Sequence, residues 1–332
     1  MVAVDANGAD QGPAAVAEGA RAASVPVLIY GPAAELGASS GTYAVVDAPE
    51  TISAAEEPAH AVRSHPEASI VQAARAVAEG RADALVSAGS TGPTLAAATL
   101  RIRRLRGVHR PALAALIPVP GRPVLLLDAG ANVEVRPEHL VQFAHMGSCF
   151  MQTAWGVERP RVGLLSVGAE EGKGTPDVLA AAERLRQAGG LDFAGNVEGF
   201  DIPRAAVDVV VTDGFTGNVA LKVLEGTSRL VRDAIGNAVR SNPLSSLGGL
   251  LIRPSLGRLR RELDPEAVGG AILLGLRKPV VVAHGSFGPH GISSAVRLAQ
   301  RAVDEDMVGR TSAALEAAGA LRSAAAGSVA KR

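Results

Sequence analysis

The side chains that could do chemistry stand at the ends of short apolar runs. Asp5, Asp128 and Asp213 each close such a run and precede a loop of small and polar residues. A carboxylate in this position can bind a metal or orient a donor, but before a glycine-rich turn it more commonly caps the turn through hydrogen bonds to the backbone. The three aspartates therefore mark candidate substrate loops, and their own role is open between binding and capping.

Two glycine-rich loops have the composition of an anion site. The first, Gly89 to Gly92, joins an apolar run to a predicted helix, where backbone N–H groups can hold phosphate. An ordinary turn before a helix has the same composition. The second places Lys173 between two glycines ahead of a clear helix start. Lys173 is either a solvated surface charge or an anion contact, and its place after a buried strand favours the contact.

Amide, imidazole and ammonium groups complete the candidate set. Asn132, Asn196 and Asn218 occupy similar positions in loops after apolar runs, and their amides could donate to a developing oxyanion. His139 lies near one of these loops, and Lys222 follows Asn218 by one helical turn. Either could assist proton transfer, and either could be an ordinary helix residue.

Composition excludes several classes of protein. The 33 basic and 33 acidic residues balance, so nucleic acid is not an expected partner. The one cysteine, Cys149, excludes an internal disulfide, and its place far along a predicted helix favours a buried core thiol over a nucleophile. Neither a nucleotide P-loop nor a dinucleotide-binding glycine pattern is present, and we expect no cofactor and no metal. The absence of a leader or a membrane-spanning run predicts a cytoplasmic protein.

The candidate residues need elements that bring strand ends together. From Pro123 to Met146 the chain has an apolar run, a loop of tiny residues and an amphipathic helical pattern beginning at Pro137. This order is the repeating unit of a parallel α/β sheet, and the chain repeats it several times. Because ligands bind beyond the carboxyl ends of parallel strands, we predict that the loops gather at one sheet edge and form a single pocket.

One segment, at about residues 236–265, departs from this pattern. It contains an uncharged stretch with Leu247, Leu250, Leu251 and Ile252, and arginines flank it. An apolar tip between basic helices can rest on an anionic bilayer surface; a dimer contact or a mobile loop is the alternative, and two of these roles could coexist. We predict one α/β domain over residues 1–322 with this helical excursion, and a disordered tail at 323–332.

Six blocks of sequence, in the right order, resemble the bacterial phosphate acyltransferases of phospholipid synthesis. They are VDANGAD (4–10), SAGSTG (87–92), DAGANVEVRPEHLVQFAHMGS (128–148), RVGLLSVGAEEGKG (161–174), GNVEGFDIP (195–203) and DGFTGNVALK (213–222). The likeness extends from Val2 to Val303. The chain departs from the usual family residues at Asn7, Ala9, Ser90, Phe200 and Thr216.

The resemblance implies a Rossmann-like three-layer αβα fold with a mostly parallel sheet, akin to the phosphotransacetylase and isocitrate dehydrogenase group. It implies transfer of a long acyl group from acyl carrier protein to inorganic phosphate, with the acyl phosphate passing to a glycerol-3-phosphate acyltransferase. It also implies a homodimer that associates peripherally with the membrane.

On this basis we expect the loop from Ser87 to Gly92 and Lys173 to hold phosphate. Asn132 and Asn218 would polarise the carbonyl or hold phosphate, and His139 or Lys222 would assist the leaving sulfur. The further substrate-binding candidates are Asp5, Asn7, Gly8, Gly89, Ser90, Thr91, Gly92, Asp128, Gly130, Asn196, Asp213 and Gly217. Two alternatives remain from other classes: a dehydrogenase-like enzyme on the same fold, and a non-catalytic scaffold that docks carrier protein at a membrane.

Overall fold

Eleven strands form one continuous sheet in the computed structural model, which describes residues 1–321. The strands are β1 (Val2–Asp5), β2 (Val27–Gly31), β3 (Tyr43–Asp47), β4 (Ala84–Ser87), β5 (Ala112–Ile117), β6 (Val124–Leu127), β7 (Arg161–Leu165), β8 (Asp192–Val197), β9 (Val209–Val211), β10 (Ala271–Leu274) and β11 (Val280–Val282). Their order across the sheet is β3-β2-β1-β4-β11-β10-β5-β6-β9-β7-β8.

Helices cover both faces of the sheet. They are α1 (Gly12–Ala22), α2 (Ala33–Leu36), α3 (Pro58–Ser64), α4 (Ser69–Ala78), α5 (Thr91–Ala97) with a π-helical turn (Ala98–Ile102), α6 (Pro137–Trp155), α7 (Pro176–Gln187), α8 (Gly214–Val239), α9 (Pro243–Glu262), α10 (Pro265–Val268), α11 (Pro289–Asp304) and α12 (Met307–Ala317). The apolar sides of α1, α6, α7, α11 and α12 pack on one face. Those of α3, α4 and α5, and of the first part of α8, pack on the other.

Burial on both sides explains why the strands are short runs of Val, Leu, Ile and Ala. The residues of β1, β4, β6 and β9 are all buried. Seven of the ten neighbouring strand pairs are parallel and three are antiparallel. The predicted three-layer α/β fold with a mostly parallel sheet is therefore confirmed.

The two halves of the sheet run in opposite directions. Strands β3, β2, β1, β4 and β11 are mutually parallel, and so are β6, β9, β7 and β8. Between the halves, β10 and β5 make three antiparallel pairings, which reverse the direction. The carboxyl ends of β1 and β4 thus lie at one edge and those of β6, β9, β7 and β8 at the other. The prediction that all strand-end loops gather at one edge is wrong.

The segment at about residues 236–265 contains the end of α8 and all of α9. Helix α9 folds back on α8, because the Ser246 hydroxyl donates to the Val239 carbonyl at 3.2 Å and Gly249 packs against the Val239 side chain. No residue of α9 is buried. Among the helices within residues 1–321, none is both long and apolar enough to cross a membrane. The tail predicted at 323–332 lies outside the described residues.

Candidate active site

Asp128, at the end of β6, organises the loop that follows it. Its carboxylate is fully buried and accepts five hydrogen bonds. Oδ1 accepts the backbone N–H groups of Leu113, Gly130 and Ala131, and Oδ2 accepts the backbone and the side-chain amide of Asn132. Burial raises the pKa of Asp128, and the donors oppose that rise. Asp128 therefore caps this loop, which is the structural one of its two predicted roles.

Asn132 has no amide proton left for a substrate. Its Nδ2 donates to Asp128 Oδ2 at 2.7 Å and to the Pro111 carbonyl at 2.8 Å. Both partners can only accept, so the orientation of the amide is unambiguous. The proposed donation from Asn132 to an oxyanion does not fit this geometry. The side chain instead joins the loop after β6 to the segment before β5.

The start of α8 rests directly on the Asp128 loop. The Gly214 N–H donates to the Asn132 carbonyl at 2.7 Å. Gly217 lies so close to the Asp128 carbonyl oxygen that a Cβ atom there would collide with it. Glycine at this position therefore lets the helix approach the loop. Asn218, in the next position, is exposed and lies beside Gly130.

Asp213 is the N-cap of α8. Its Oδ1 accepts the Thr216 backbone N–H at 2.8 Å, and its Oδ2 accepts the Thr216 hydroxyl at 2.7 Å. Lys222, one turn beyond Asn218, is exposed and pairs with Glu225 at 3.2 Å. The Asp213 carboxylate thus stabilises the helix start, as this residue type commonly does.

A cleft of about 690 Å³ opens beside the Asp128 loop. Leu95 and Thr99, from α5 and the π-helical turn, line it together with Ala131 and Val135. Its charged and titratable lining residues are Arg104, His109, Arg110, Glu134, Arg136 and His139. Positive charge is in excess, and guanidinium groups stay protonated at physiological pH. The cleft therefore favours an anion next to a partly apolar wall.

His139 enters this cleft as a neutral imidazole. Its Nδ1 accepts the Arg136 backbone N–H at 3.2 Å, which assigns the ring proton to Nε2. Burial lowers the pKa of His139, and nearby His109 and Arg110 lower it further. The ring centroids of His109 and His139 are 5.5 Å apart. A neutral imidazole with its proton on Nε2 can donate a hydrogen bond to a developing negative charge in the cleft.

The loop after β4 borders a second, much smaller pocket at the other sheet edge. Asp5, Asn7, Gly8, Gly89 and Ser90 line this pocket. Its volume is about 30 Å³. That is room for about two water molecules. Of the remaining loop residues, Thr91 opens helix α5 and Gly92 packs against Pro58.

The Asp5 carboxylate dominates the small pocket. It accepts the hydroxyls of Ser69 at 2.6 Å and Ser87 at 2.8 Å, and the backbone N–H of Asn7 at 3.3 Å. The Asn7 side-chain amide is directed to the carbonyls of residues 48 and 50 and to Ser69. Burial raises the pKa of Asp5 to about 6, so the group is largely ionised at pH 7. A negative charge here makes the Gly89–Gly92 loop a weaker anion site than the sequence indicated.

Lys173 lies on the loop after β7, at the same sheet edge as the Asp128 loop but outside the residues that line the cleft. Asn196 shapes this loop, since its Nδ2 donates to the carbonyls of Glu170 at 3.0 Å and Lys173 at 2.9 Å. The Lys173 side chain is exposed. The catalytic roles of Lys173, Asn218 and Lys222 stay predictions.

All the predicted catalytic and substrate-binding residues except Thr91, Gly92 and Lys222 thus fall into three groups. Those around the Asp128 loop are Asp128, Gly130, Asn132, His139, Asp213, Gly217 and Asn218. Those at the small pocket are Asp5, Asn7, Gly8, Gly89 and Ser90. The third group is the loop of Lys173 with Asn196. Sequence reasoning missed the lining residues His109, Arg110 and Arg136 and did not place Arg104 at a site. Two Arg-Pro pairs, just before β5 and α6, were the available signal.

Among residues 1–321, no group of three or more His, Cys, Asp or Glu side chains is arranged to hold a metal ion.

Solved structures with the same fold include phosphotransacetylases and a putative 4-hydroxythreonine-4-phosphate dehydrogenase from Salmonella typhimurium. The enzyme from Streptococcus pyogenes superimposes with a TM-score of 0.61 at 18% identity, over 92% of this chain and 94% of that one. The EutD phosphotransacetylase from Staphylococcus aureus has a TM-score of 0.58 at 17% identity, over 91% and 94%. At these identities the likeness defines the fold alone, which is that of the phosphotransacetylase group.

Sequence comparison is more specific. The family model described as "Fatty acid synthesis protein" matches residues 1–310. The phosphate acyltransferase of Elusimicrobium minutum is 46% identical over 80% of this chain and 77% of its own length. Those of Thermobifida fusca and Anoxybacillus flavithermus are 43% and 41% identical, over 91% and 92% of this chain and 88% and 96% of their own. The chain belongs to the phosphate acyltransferase family and is an enzyme.

Proposed function

We propose that this enzyme moves a long-chain fatty acyl group from the thioester of acyl carrier protein to inorganic phosphate. The products are an acyl phosphate and the free carrier thiol. The names of the relatives support acyl transfer to phosphate. The observation that carries the proposal is the cleft, in which three arginines and a neutral histidine lie beside Leu95, Ala131 and Val135. The arginines complement an anionic nucleophile, and the apolar side chains complement a hydrocarbon chain.

The arginines supply what the nucleophile needs. Phosphate is a strongly hydrated anion that must attack the electrophilic carbonyl carbon of the thioester, and fixed positive charge holds it there and stabilises the negative charge that develops in the transition state. Arg110 precedes β5 and Arg136 precedes α6, and both line the cleft. Two guanidinium groups from different segments can bind one phosphate together. Holding both reactants in one cleft converts the encounter into an intramolecular step.

The chemical step balances with one proton transfer. A phosphate oxygen attacks the thioester carbonyl carbon, the C–S bond breaks, and the sulfur leaves with the electron pair. The proton of the phosphate hydroxyl passes to that sulfur, and His139 Nε2–H donates a hydrogen bond to the sulfur as it leaves. His139 Nδ1 stays occupied by the Arg136 N–H, so only Nε2 takes part. No covalent acyl-enzyme is required, because phosphate itself is the nucleophile.

The test is a free-thiol assay on purified protein with acyl-loaded carrier protein. We expect thiol release that depends on phosphate and does not occur when sulfate replaces it, since sulfate at neutral pH is a much weaker nucleophile and has no hydroxyl proton to give to the leaving sulfur. Carrier binding without phosphate-dependent release would contradict the proposal and favour the scaffold alternative. A spectral change of added nicotinamide cofactor would favour the dehydrogenase alternative.

The α8–α9 excursion carries an exposed apolar surface that could contact a membrane. Leu247, Leu250, Leu251 and Ile252 are 57%, 62%, 77% and 49% exposed, within a helix that has no buried residue. We propose that this surface docks on anionic lipid, next to a second copy of the chain. Such an enzyme would work at the cytoplasmic membrane surface and deliver its acyl phosphate to a glycerol-3-phosphate acyltransferase for phosphatidic acid synthesis. The arginines beside the apolar tip would attract the anionic headgroups.

A further inference from the structure

The loop from Arg103 to Pro111 supplies much of the charge in the cleft, yet it has little regular structure of its own. It connects the π-helical turn to β5 and contributes Arg104, His109 and Arg110 to the lining. Neighbours outside the cleft hold several of its backbone groups, among them the Leu105 N–H, the Gly107 carbonyl and the His109 N–H. The positions of the guanidinium and imidazole groups therefore depend on contacts made behind the loop.

Gln142 makes the central contact. It lies on α6 one turn after His139 and is only 1% exposed. Its Oε1 accepts the His109 N–H at 2.8 Å, and its Nε2 donates to the Gly107 carbonyl at 3.0 Å and to the Ala320 carbonyl at 2.7 Å. An N–H can only donate and a carbonyl can only accept, so the side chain has one possible orientation. Every polar atom of the carboxamide is used.

The third partner comes from the far end of the described chain. Ala320 follows α12 and is separated from Gln142 by 178 positions. The next residue, Leu321, packs on Gly107, which has a φ of +83° and would bring a Cβ atom to 2.9 Å from the Leu321 Cβ. One carboxamide and one leucine thus fasten the loop to α6 and to the segment after α12.

We propose that Gln142 and Leu321 form a clasp that positions the cleft loop for anion binding, although neither residue lines the cleft. Gln142 is a positioning residue that acts through His109 and Gly107, and Leu321 acts through Gly107. The inference rests on the proposed function for its kinetic consequence. Its structural part, the order of the loop, stands independently of which reaction the cleft performs.

The kinetic test uses Gln142→Met, which keeps the length of the side chain but makes no such hydrogen bonds. Because a small displacement of binding groups weakens substrate positioning, we expect KM for phosphate to rise on the order of 10-fold or more. Leu321→Ala should shift KM in the same direction by less. Gln152→Met is the matched control, since Gln152 lies on the same helix and its amide donates to the Glu158 carbonyl, away from the cleft. Gln142→Glu retains the acceptor for the His109 N–H but sets a carboxylate oxygen against the carbonyls of Gly107 and Ala320, so it should raise KM as well.

A second measurement separates the clasp from the proposed reaction. Backbone hydrogen exchange at residues 104–110 should accelerate in Gln142→Met and Leu321→Ala and stay at the wild-type rate in Gln152→Met. If exchange is faster in these variants but the wild type shows no phosphate-dependent thiol release, the clasp is supported and the proposed function is refuted. Unchanged exchange, or activity that falls only with the folded fraction at constant KM, would overturn the clasp.

Discussion

At the scale of single residues, the polar side chains that look most catalytic in the sequence are largely occupied by the protein itself. The amides of Asn7, Asn132 and Asn196 donate to backbone carbonyls or buried oxygens, and the Asp128 carboxylate accepts five donors. Buried polar groups must find partners, so small loops are built around them. The charged and titratable groups that line the cleft are instead three arginines, two histidines and Glu134.

This distinction gives a residue-scale prediction about where phosphate binds. Arg136→Ala and Arg110→Ala should each lower kcat/KM for phosphate on the order of 100-fold, because each removes a preorganised positive charge next to His139. Lys173→Ala is the informative comparison, since Lys173 is exposed on a different loop of the same sheet edge. Steady-state kinetics with varied phosphate measures all three. A large loss in the Lys173 variant with little loss in the arginine variants would move the anion to the loop after β7.

At the scale of elements, α8 joins the candidate site to the excursion. Its first turn contacts the Asp128 loop through Gly214 and Gly217, whereas α9 has no buried residue. A helix that leaves the core with its apolar side chains exposed needs another surface to cover them. Leu244 and Leu251 are 79% and 77% exposed, so nothing within residues 1–321 covers these side chains.

The element-scale prediction concerns this apolar tip. Replacing Leu250, Leu251 and Ile252 together by Ser should reduce sedimentation with anionic vesicles and leave thiol release in solution unchanged, because these residues are remote from the cleft lining. Val167→Ser, which removes an exposed apolar side chain from a loop after β7, is the control. Vesicle binding equal to wild type in the triple variant would reject the membrane surface.

At the scale of the whole molecule, two buried titratable groups change the folding stability in opposite directions as the pH falls. Burial lowers the pKa of His145, on α6, to about 4 and raises the pKa of Asp5, on β1, to about 6. Below pH 6.5 the unfolded chain binds a proton at His145 that the folded protein excludes, so this residue destabilises the fold as the pH falls toward 4. Between pH 6 and 4 the folded protein binds a proton at Asp5 more readily than the unfolded chain does, so Asp5 has the opposite effect.

Replacing His145 isolates one of these contributions. Relative to wild type, the free energy of unfolding of His145→Leu should rise by about 3 kcal/mol as the pH falls from 6.5 to 4, because a pKa difference of about 2.5 units between the two states is removed. Urea unfolding at several pH values measures this. His290→Leu replaces an exposed histidine on α11 and provides the control. Parallel stability profiles for His145→Leu and wild type would refute the assignment.

The sequence by itself determined the local structure and the family. An apolar run predicted strand β6, Pro137 marked the start of α6, and six sequence blocks identified phosphate acyltransferases. These features are readable because periodicity, turn chemistry and motif order are properties of neighbouring residues.

Only the tertiary structure decided which loops share a site. Three antiparallel pairings in the middle of the sheet send the loops after β1 and β4 to the edge opposite Asp128, and no local pattern encodes such a reversal. The same holds for the partners of single side chains. Arg110 and Arg136 meet at one cleft, and Gln142 reaches Ala320 across 178 positions, because packing brings together groups that the chain keeps far apart.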